Sequence, residues 1–304
     1  MSDQAAADGA GQVCAVVVTY NRKELLRECV HALLAQTHPL GAIWIINNVS
    51  TDGTLEMLAE EFPPDRFPQL RITTLAENSG GAGGFHEGVK LAAAAGFEWL
   101  WLMDDDTIAQ PSALAELFAA RDSFPAGAQP DILASKVEWT DGSLHSMNIN
   151  WVNLRDPQAT FRAAAARTFP IRTATFVSFL LHRRFVEAYG LPIRDYFIWA
   201  DDVEYSGRIL RDNFGVTVPA SVVTHKTVRN HASADPGPRF YYHVRNGIWM
   251  LTRSNAFSAR ERIKMWFGLV TSWWVYLRRS SFKSDSIAVV GRGLRDAVLR
   301  KPLQ

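Results

Sequence analysis

A chain of 304 residues with 47% hydrophobic side chains and a net charge of +1 suits one large domain, or one domain with an appendage. Its two cysteines exclude a disulfide framework, and Cys14 and Cys29 both fall among apolar residues as small core hydrophobes. The charge is uneven: Arg253 to Gln304 holds 11 Lys/Arg against 3 Asp/Glu, a surplus of +8 that leaves −7 for the preceding 252 residues.

Residues 1–12 read as a disordered lead-in, rich in Ala, Asp and Gly and without the apolar run of a signal peptide. Val13 to Val18 is a continuous apolar run, as a strand buried on both faces requires. Asn21-Arg-Lys-Glu24 has the capping-box pattern with Asn21 as N-cap, and Leu25, Leu26, Cys29, Val30, Leu33 and Leu34 follow at helical spacing. Ile43 to Ile46 is the second strand and Arg71 to Leu75 the third. Asn78 to Phe85 reads as a glycine-rich turn that opens a helix carrying Val89 and Leu91. Glu98 to Met103 is the fourth strand, after which Pro111 takes the first position of a helix presenting Leu114, Leu117 and Phe118. In the second half, Thr173 to Leu181 and Val216 to Val223 read as strands, Asp202 to Leu210 and Tyr241 to Leu251 as helices.

Strand and helix alternate in the first half, which predicts an α/β fold with a mainly parallel central sheet and helices on both faces. Ligands of such sheets bind beyond the carboxyl ends of the strands. Thr19-Tyr20-Asn21, Asn47-Asn48, Gly80 to Gly84 and Asp104-Asp105-Asp106 all fall at those ends and point to one crevice. Three adjacent carboxylates after the buried run Trp99 to Met103 repel one another and are costly to desolvate. A hard divalent cation would offset them, and such ions bring phosphates with them. A solvated acidic turn is the plainer alternative.

These motifs, with Trp199-Ala-Asp-Asp-Val-Glu204, occur in the order found in family 2 glycosyltransferases of GT-A fold, which the chain resembles from about Val13 to Asn255. Within that family it is most similar to bacterial galactofuranosyltransferases, then to rhamnosyltransferases. The resemblance implies a GT-A domain over residues 13–252 with a doubly wound sheet. It also implies an inverting, Mn²⁺- or Mg²⁺-dependent transfer from UDP-galactofuranose, or alternatively dTDP-rhamnose, to a polyprenyl-diphosphate-linked glycan in cell-envelope polysaccharide synthesis. It places Thr19, Tyr20, Asn47 and Asp52 around the nucleotide, where Asn47 is equally readable as a turn residue. Gly80 and Gly81 would approach ribose or diphosphate, with Asp104 and Asp105 also beside the donor. Asp104, Asp106 and His225 match the metal ligands, with Asp105 in support, although a lone histidine is more often structural. Asp202 matches the base that deprotonates the acceptor; Asp201 and Glu204 compete for that role, and helix capping is the alternative for each. Arg245-Asn246 resembles a pair near the donor phosphates, against the alternative of an ordinary surface arginine. For the acceptor, Phe176, Ser178, Trp199 and Asp201 are candidates, with Trp151 and Tyr196 as further aromatics; core packing explains the aromatics equally well.

Residues 253–304 form a basic, aromatic, helical extension. The uncharged run Met265 to Leu277 is too short to span a bilayer and is flanked by Arg262, Lys264, Arg278, Arg279 and Lys283. It suits a helix in the membrane interface, which predicts a cytoplasmic protein peripheral on the inner face of the cell membrane. Packing on the catalytic domain is the alternative. The interleaved aromatics of a single-strand site are not evident, so no nucleic-acid partner is expected. Two other classes compete. An aspartyl-nucleophile phosphohydrolase sets its Asp-x-Asp after a first strand, whereas here the pair follows the fourth and Ile108 replaces the expected Thr or Val. A non-catalytic binder of nucleotide sugars would need no base.

Overall fold

The computed structural model describes residues 12–230, 236–280 and 283–302; the expected lead-in therefore lies almost wholly outside the described residues. The strands are β1 (Val13–Thr19), β2 (Ala42–Asn47), β3 (Leu70–Thr74), β4 (Trp99–Asp104), β5 (Thr107–Ala109), β6 (Ile132–Glu138), β7 (Trp151–Val152), β8 (Phe169–Thr173), β9 (Phe179–His182) and β10 (Val216–His225). The helices are α1 (Lys23–Leu34), α2 (Thr54–Glu61), α3 (Gly80–Ala94), α4 (Ala113–Asp122), α5 (Pro157–Ala165), α6 (Arg184–Tyr189), α7 (Asp201–Ile209), α8 (Phe240–Thr252), α9 (Ala259–Arg279) and α10 (Lys283–Leu299).

The sheet runs β3-β2-β1-β4-β9-β6-β10-β8-β7, with β5 paired to β10. The first four strands in this order are mutually parallel, and β6 is parallel to β10. Strand β9 enters antiparallel between β4 and β6. Residues of β1 alternate between two cores. Val13, Ala15 and Val17 pack with α1, α2 and α4; Cys14, Val16 and Val18 pack with α3 and α7. Both faces are covered, which is why β1 reads as an unbroken apolar run. Burial pushes the Cys14 thiol up to about 12, so this cysteine is core filling rather than a reactive group.

Four sequence expectations shift for identifiable reasons. Asn21 does not cap α1: it has φ +53°, and its Oδ1 accepts from Thr51 N at 2.7 Å. The cap comes from another loop, Asp52 Oδ2 accepting from Lys23 N at 2.9 Å. The glycine-rich segment is not a turn before a helix but the first turns of α3 itself. Gly80 has φ +71°, and a Cβ there would lie 2.0 Å from Phe197 O; those beyond it let the helix settle onto β1. Helix α4 starts at Ala113, two residues after Pro111, whose carbonyl accepts from Thr37 N instead. The run from Thr173 to Leu181 is two elements, because the Ser206 hydroxyl bonds both N and O of Ala174 and draws the chain off the sheet.

The last two helices do not form a separate unit. A third core joins Val244, Ile248 and Trp249 of α8 to Leu269 and Tyr276 of α9 and to Val289 and Val290 of α10. A boundary at residue 252 therefore cuts through a shared core.

Candidate active site

Strand β4 delivers Asp104 at its end, and the turn to β5 carries Asp105 and Asp106. β5 pairs with the end of β10, setting Thr107 opposite His225. That pairing brings together residues more than a hundred positions apart. One ligand atom from each of Asp104, Asp106 and His225 lies within 4.8 Å of the others. Asp106 Oδ1 is 2.9 Å from His225 Nε2, yet this buried oxygen receives no well-directed hydrogen bond. His225 Nδ1 faces Asn148 Oδ1 at 2.9 Å. An amide oxygen only accepts, so a proton on Nδ1 suits this contact, and with a cation bound the Nε2 lone pair would be free to ligate it beside the carboxylates. An orphaned carboxylate oxygen, a second carboxylate and an imidazole lone pair fit a divalent cation.

Burial, then the charges of Asp106 and Asp105, push the Asp104 carboxyl well above its usual range. Burial also raises Asp105 to about 6, against the pull of Arg22. For Asp106 burial acts upward too, but the His225 contact and Arg22 prevail and hold it low. Arg22, which the sequence reading passed over, is the resident counter-charge. It pairs with Asp106 and reaches Asp105 Oδ1 at 3.4 Å. Its position just past β1 was the available signal. Asn148 and the buried His145, whose ring lies 4.7 Å from that of His225, had no local signal at all.

The residues assigned to the nucleotide are largely committed to the scaffold. Thr19 Oγ1 donates to Asp105 Oδ2 at 2.8 Å, so Asp105 ties the end of β1 to the acidic turn. Asn47 is fully buried; its Oδ1 accepts from Ser50 N at 3.0 Å and its Nδ2 faces Thr74, which makes it a turn residue. Asp52 caps α1 and bonds Thr54 Oγ1 at 2.5 Å. By contrast, Tyr20 is exposed, and a Cβ on Gly81 would meet nothing within 4 Å. These two keep a free surface on the nucleotide side.

Across the crevice, residues 194–200 form a tight loop into α7. Phe197, Trp199 and Ala200 all have positive φ, a conformation costly for residues with side chains. Three carbonyls of the loop, those of Tyr196, Ile198 and Trp199, accept from Asn246 Nδ2 at 2.8–2.9 Å. Arg245 donates to Asp195 O and Tyr196 O and stacks on Tyr241, Tyr242 and Trp249. Arg245 is thus neither a phosphate ligand nor a surface arginine, but a buried clamp on the loop. The amide of Ala82 completes the clamp by donating to Phe197 O.

The loop presents Asp201 and Asp202 in the first turn of α7. Burial and the neighbouring Asp202 charge raise Asp201 to about 8. Asp202 is half-buried as a residue, and desolvation of its carboxyl raises it to about 6. Its Oδ1 accepts from Val203 N at 2.7 Å, and no protein donor reaches Oδ2 among the described residues. Glu204 is spent on Arg208 and Ser254. Asp201 is close enough to Asp104 to act on it electrostatically, so the start of α7 lies near the acidic turn. Of the acceptor candidates, Trp199 and Asp201 stand there. Phe176 is core, packed on Phe85 and Tyr205, and Ser178 is buried between Trp101 Nε1 and Ser135. Tyr196 is likewise core.

The sheet, the acidic turn and the carboxylates of α7 define a nucleotide-sugar glycosyltransferase of GT-A fold. The family model for glycosyl transferase family 2 matches residues 14–190, and the chain belongs to that family. Over 291 residues it is 28% identical to the galactofuranosyltransferase GlfT1 of Mycobacterium tuberculosis, covering 88% of this chain and 94% of that one. Among solved structures it is similar to Staphylococcus aureus TarS residues 1–349 in complex with UDP. That match has TM-score 0.62 and 15% identity, and covers 95% of this chain and 81% of the other. The mannosyltransferase PcManGT of Pyrobaculum calidifontis, in complex with GDP-Man and Mn²⁺, matches with TM-score 0.56 and 16% identity over the same shares.

Proposed function

We propose that the enzyme is an inverting, metal-dependent galactofuranosyltransferase that moves galactofuranose from UDP-galactofuranose to a lipid-linked glycan in cell-envelope synthesis. The observation that carries the metal-dependent part is the convergence of Asp104, Asp106 and His225; the sugar follows the likeness to GlfT1 across nearly the whole of both chains. dTDP-rhamnose is the second donor to test. The phosphohydrolase and the non-catalytic binder give way to the family match.

In the proposed reaction the acceptor hydroxyl oxygen attacks the anomeric carbon on the face opposite the diphosphate. The bond from that carbon to the diphosphate oxygen breaks, and its electron pair leaves with UDP. Asp202 takes the hydroxyl proton on Oδ2, its Oδ1 being fixed by Val203 N. Asp201, held protonated at neutral pH, spares the site a second repelling charge. Asp104, Asp106 and His225 would hold a divalent cation, Mn²⁺ or Mg²⁺, whose charge would offset the leaving diphosphate. Tyr20 and the backbone at Gly81 line the donor side.

No helix among the described residues is long and apolar enough to cross a membrane. Ile263, Trp266, Phe267, Val270 and Trp274 nevertheless form an exposed stripe at helical spacing on α9. An apolar stripe within a basic segment favours attachment to an anionic membrane surface, such as the inner face of the cell membrane.

The test is a donor panel with and without Mn²⁺, read first as binding and then as transfer to synthetic lipid-linked sugars. Metal-dependent binding of UDP-galactofuranose followed by transfer with inversion supports the proposal. Tight binding of both donors without transfer to any glycolipid overturns it.

A further inference from the structure

Beside the catalytic loop lies a cavity of about 750 Å³ that the reaction as described does not use. Its wall is mostly apolar, from Val152, Leu154, Met250, Leu251, Met265 and Leu269. That volume falls within the range of sites that enclose a whole small ligand. The polar groups on the wall are satisfied elsewhere. Glu261 pairs with Arg172 at 2.9 Å and Arg155 at 3.1 Å, and His243 Nε2 bonds Ser272 Oγ at 2.8 Å. Glu261, Arg172 and His243 are thus left with little call for a polar ligand, and apolar surface left open to water favours a hydrocarbon.

Two observations narrow the occupant. Trp199 and Ala200 form one side of the cavity, immediately before Asp201 and Asp202, so a chain lying there has its head beside the base. The cavity also carries cations: Arg155, 60% exposed at its side chain, and Lys264, for which no ion pair occurs among the described residues. An apolar trough with cations beside a base complements an anionic amphiphile, with hydrocarbon inside and phosphate at the mouth. Helix α9 serves both surfaces. Lys264, Met265, Gly268, Leu269 and Ser272 line the cavity, while the exposed stripe occupies the adjoining face.

We infer that this cavity binds the proximal hydrocarbon chain of the phosphate-linked lipid acceptor and so sets the acceptor's sugar against Asp202. The inference rests on the proposed lipid-linked acceptor, and chain binding can be measured without donor or transfer. Gly268 offers the variant: a Cβ there meets nothing within 4 Å, and leucine is the stronger helix former, so Gly268→Leu fills space without costing the fold. Leu154→Glu, at a side chain 64% exposed, places a charge on the wall as an independent check.

Tryptophan fluorescence of the full chain is titrated with farnesyl diphosphate and with inorganic diphosphate. Wild type is expected to bind the farnesyl compound at least tenfold more tightly than diphosphate, and both variants to lose that difference. UDP-galactofuranose binding with Mn²⁺ stays unchanged in both. A farnesyl preference absent from wild type, or unaffected by both variants, overturns the inference. Equal binding of wild type and Gly268→Leu to anionic phosphatidylglycerol vesicles, with no farnesyl preference, overturns it too, leaving the face as a membrane dock alone. If the preference behaves as expected but no sugar is transferred, the cavity assignment stands and the proposed reaction falls.

Discussion

Burial raises Asp104 and Asp105 on one side of the crevice as it raises Asp201 and Asp202 on the other, but the two sides differ in the partners set beside those carboxylates. On the donor side Asp105 and Asp106 are wired to Arg22, Thr19 and His225, so their charges have partners in place. On the acceptor side Asp201 and Asp202 have no cation paired with them among the described residues and answer burial by raised pKa values, to about 8 and about 6. Neutralised carboxylates suit a site that holds a charged ligand; desolvated ones suit a site that moves a proton. The price of the second arrangement is a loop with three residues at positive φ, kept in place by Arg245 and Asn246.

The sharpest break in this contrast is Asp202→Asn, which keeps shape and removes the proton acceptor. Transfer is expected to fall by about 10²–10⁴-fold, the usual worth of a general base. Donor affinity, measured by calorimetry with Mn²⁺, should stay within about twofold, because the amide leaves the donor side intact. Substantial residual transfer would move the base to Asp201. On the donor side Asp106→Ala should do the reverse. Metal-dependent donor affinity should drop by more than the roughly 10–100-fold that loss of a mere supporting partner of a metal site costs, because Asp106 would be a ligand itself. Metal-independent binding of UDP should change little.

Asn246→Ala attacks the clamp rather than the chemistry. Three carbonyls lose their common donor, whose two N–H groups are shared among them, costing about 2 kcal/mol at about 1 kcal/mol for each N–H. The loop relaxes from its strained form, so kcat should fall about tenfold or more while donor KM holds, since positional errors near 1 Å can cost up to 10²-fold. A fall in thermal stability with kcat intact would show the clamp to be structural only.

The pH dependence separates the two carboxylates of α7. Transfer should rise with pH through about 6, because Asp202 accepts a proton only when ionised. Stability runs the other way. Both folded-state pKa values lie above the ordinary 3.8, so their contribution is complete below that value and is lost as pH rises through about 6 and about 8. Asp201→Asn should therefore lose less melting temperature than wild type between pH 6 and 9, as scanning calorimetry would show.

How much of this was readable in the sequence follows the same divide. The parallel half of the sheet and the acidic turn lie in contiguous runs whose periodicity and terminal residues carry their meaning. His225 and Asp202 were accessible through motif order, and the structure joins His225 to the acidic turn. The partners of those residues were not. Arg22, Asn148 and the Asp52 cap act across 84, 77 and 29 positions, and nothing in their neighbours announces it. Arg245 was misread for a related reason: an arginine after two tyrosines is a phosphate ligand or a clamp depending on where the facing loop sits. Phe176 and Ser178 failed because the turn between β8 and β9 carries them into the core, against Phe85 and Tyr205 and between Trp101 and Ser135.

The smallest expected effect probes the wiring of the donor side. Thr19→Val keeps size and β-propensity but deletes the 2.8 Å bond to Asp105 Oδ2. Asp105 retains Arg22 and a longer contact from Tyr20 N, so it is weakened rather than stripped. A hydrogen bond to a charged group contributes about 1.5–3 kcal/mol, and the surviving donors should cut the loss to about 1 kcal/mol. With less stabilisation of its ionised form, Asp105 should titrate above about 6. Donor binding at pH 6.5 should then weaken more than at pH 8, by a few-fold, as extra protonation unbalances the charge held by Arg22. Equal weakening at both pH values would mean that Thr19 serves only to join two strand ends, and that the donor side is less finely charged than its geometry implies.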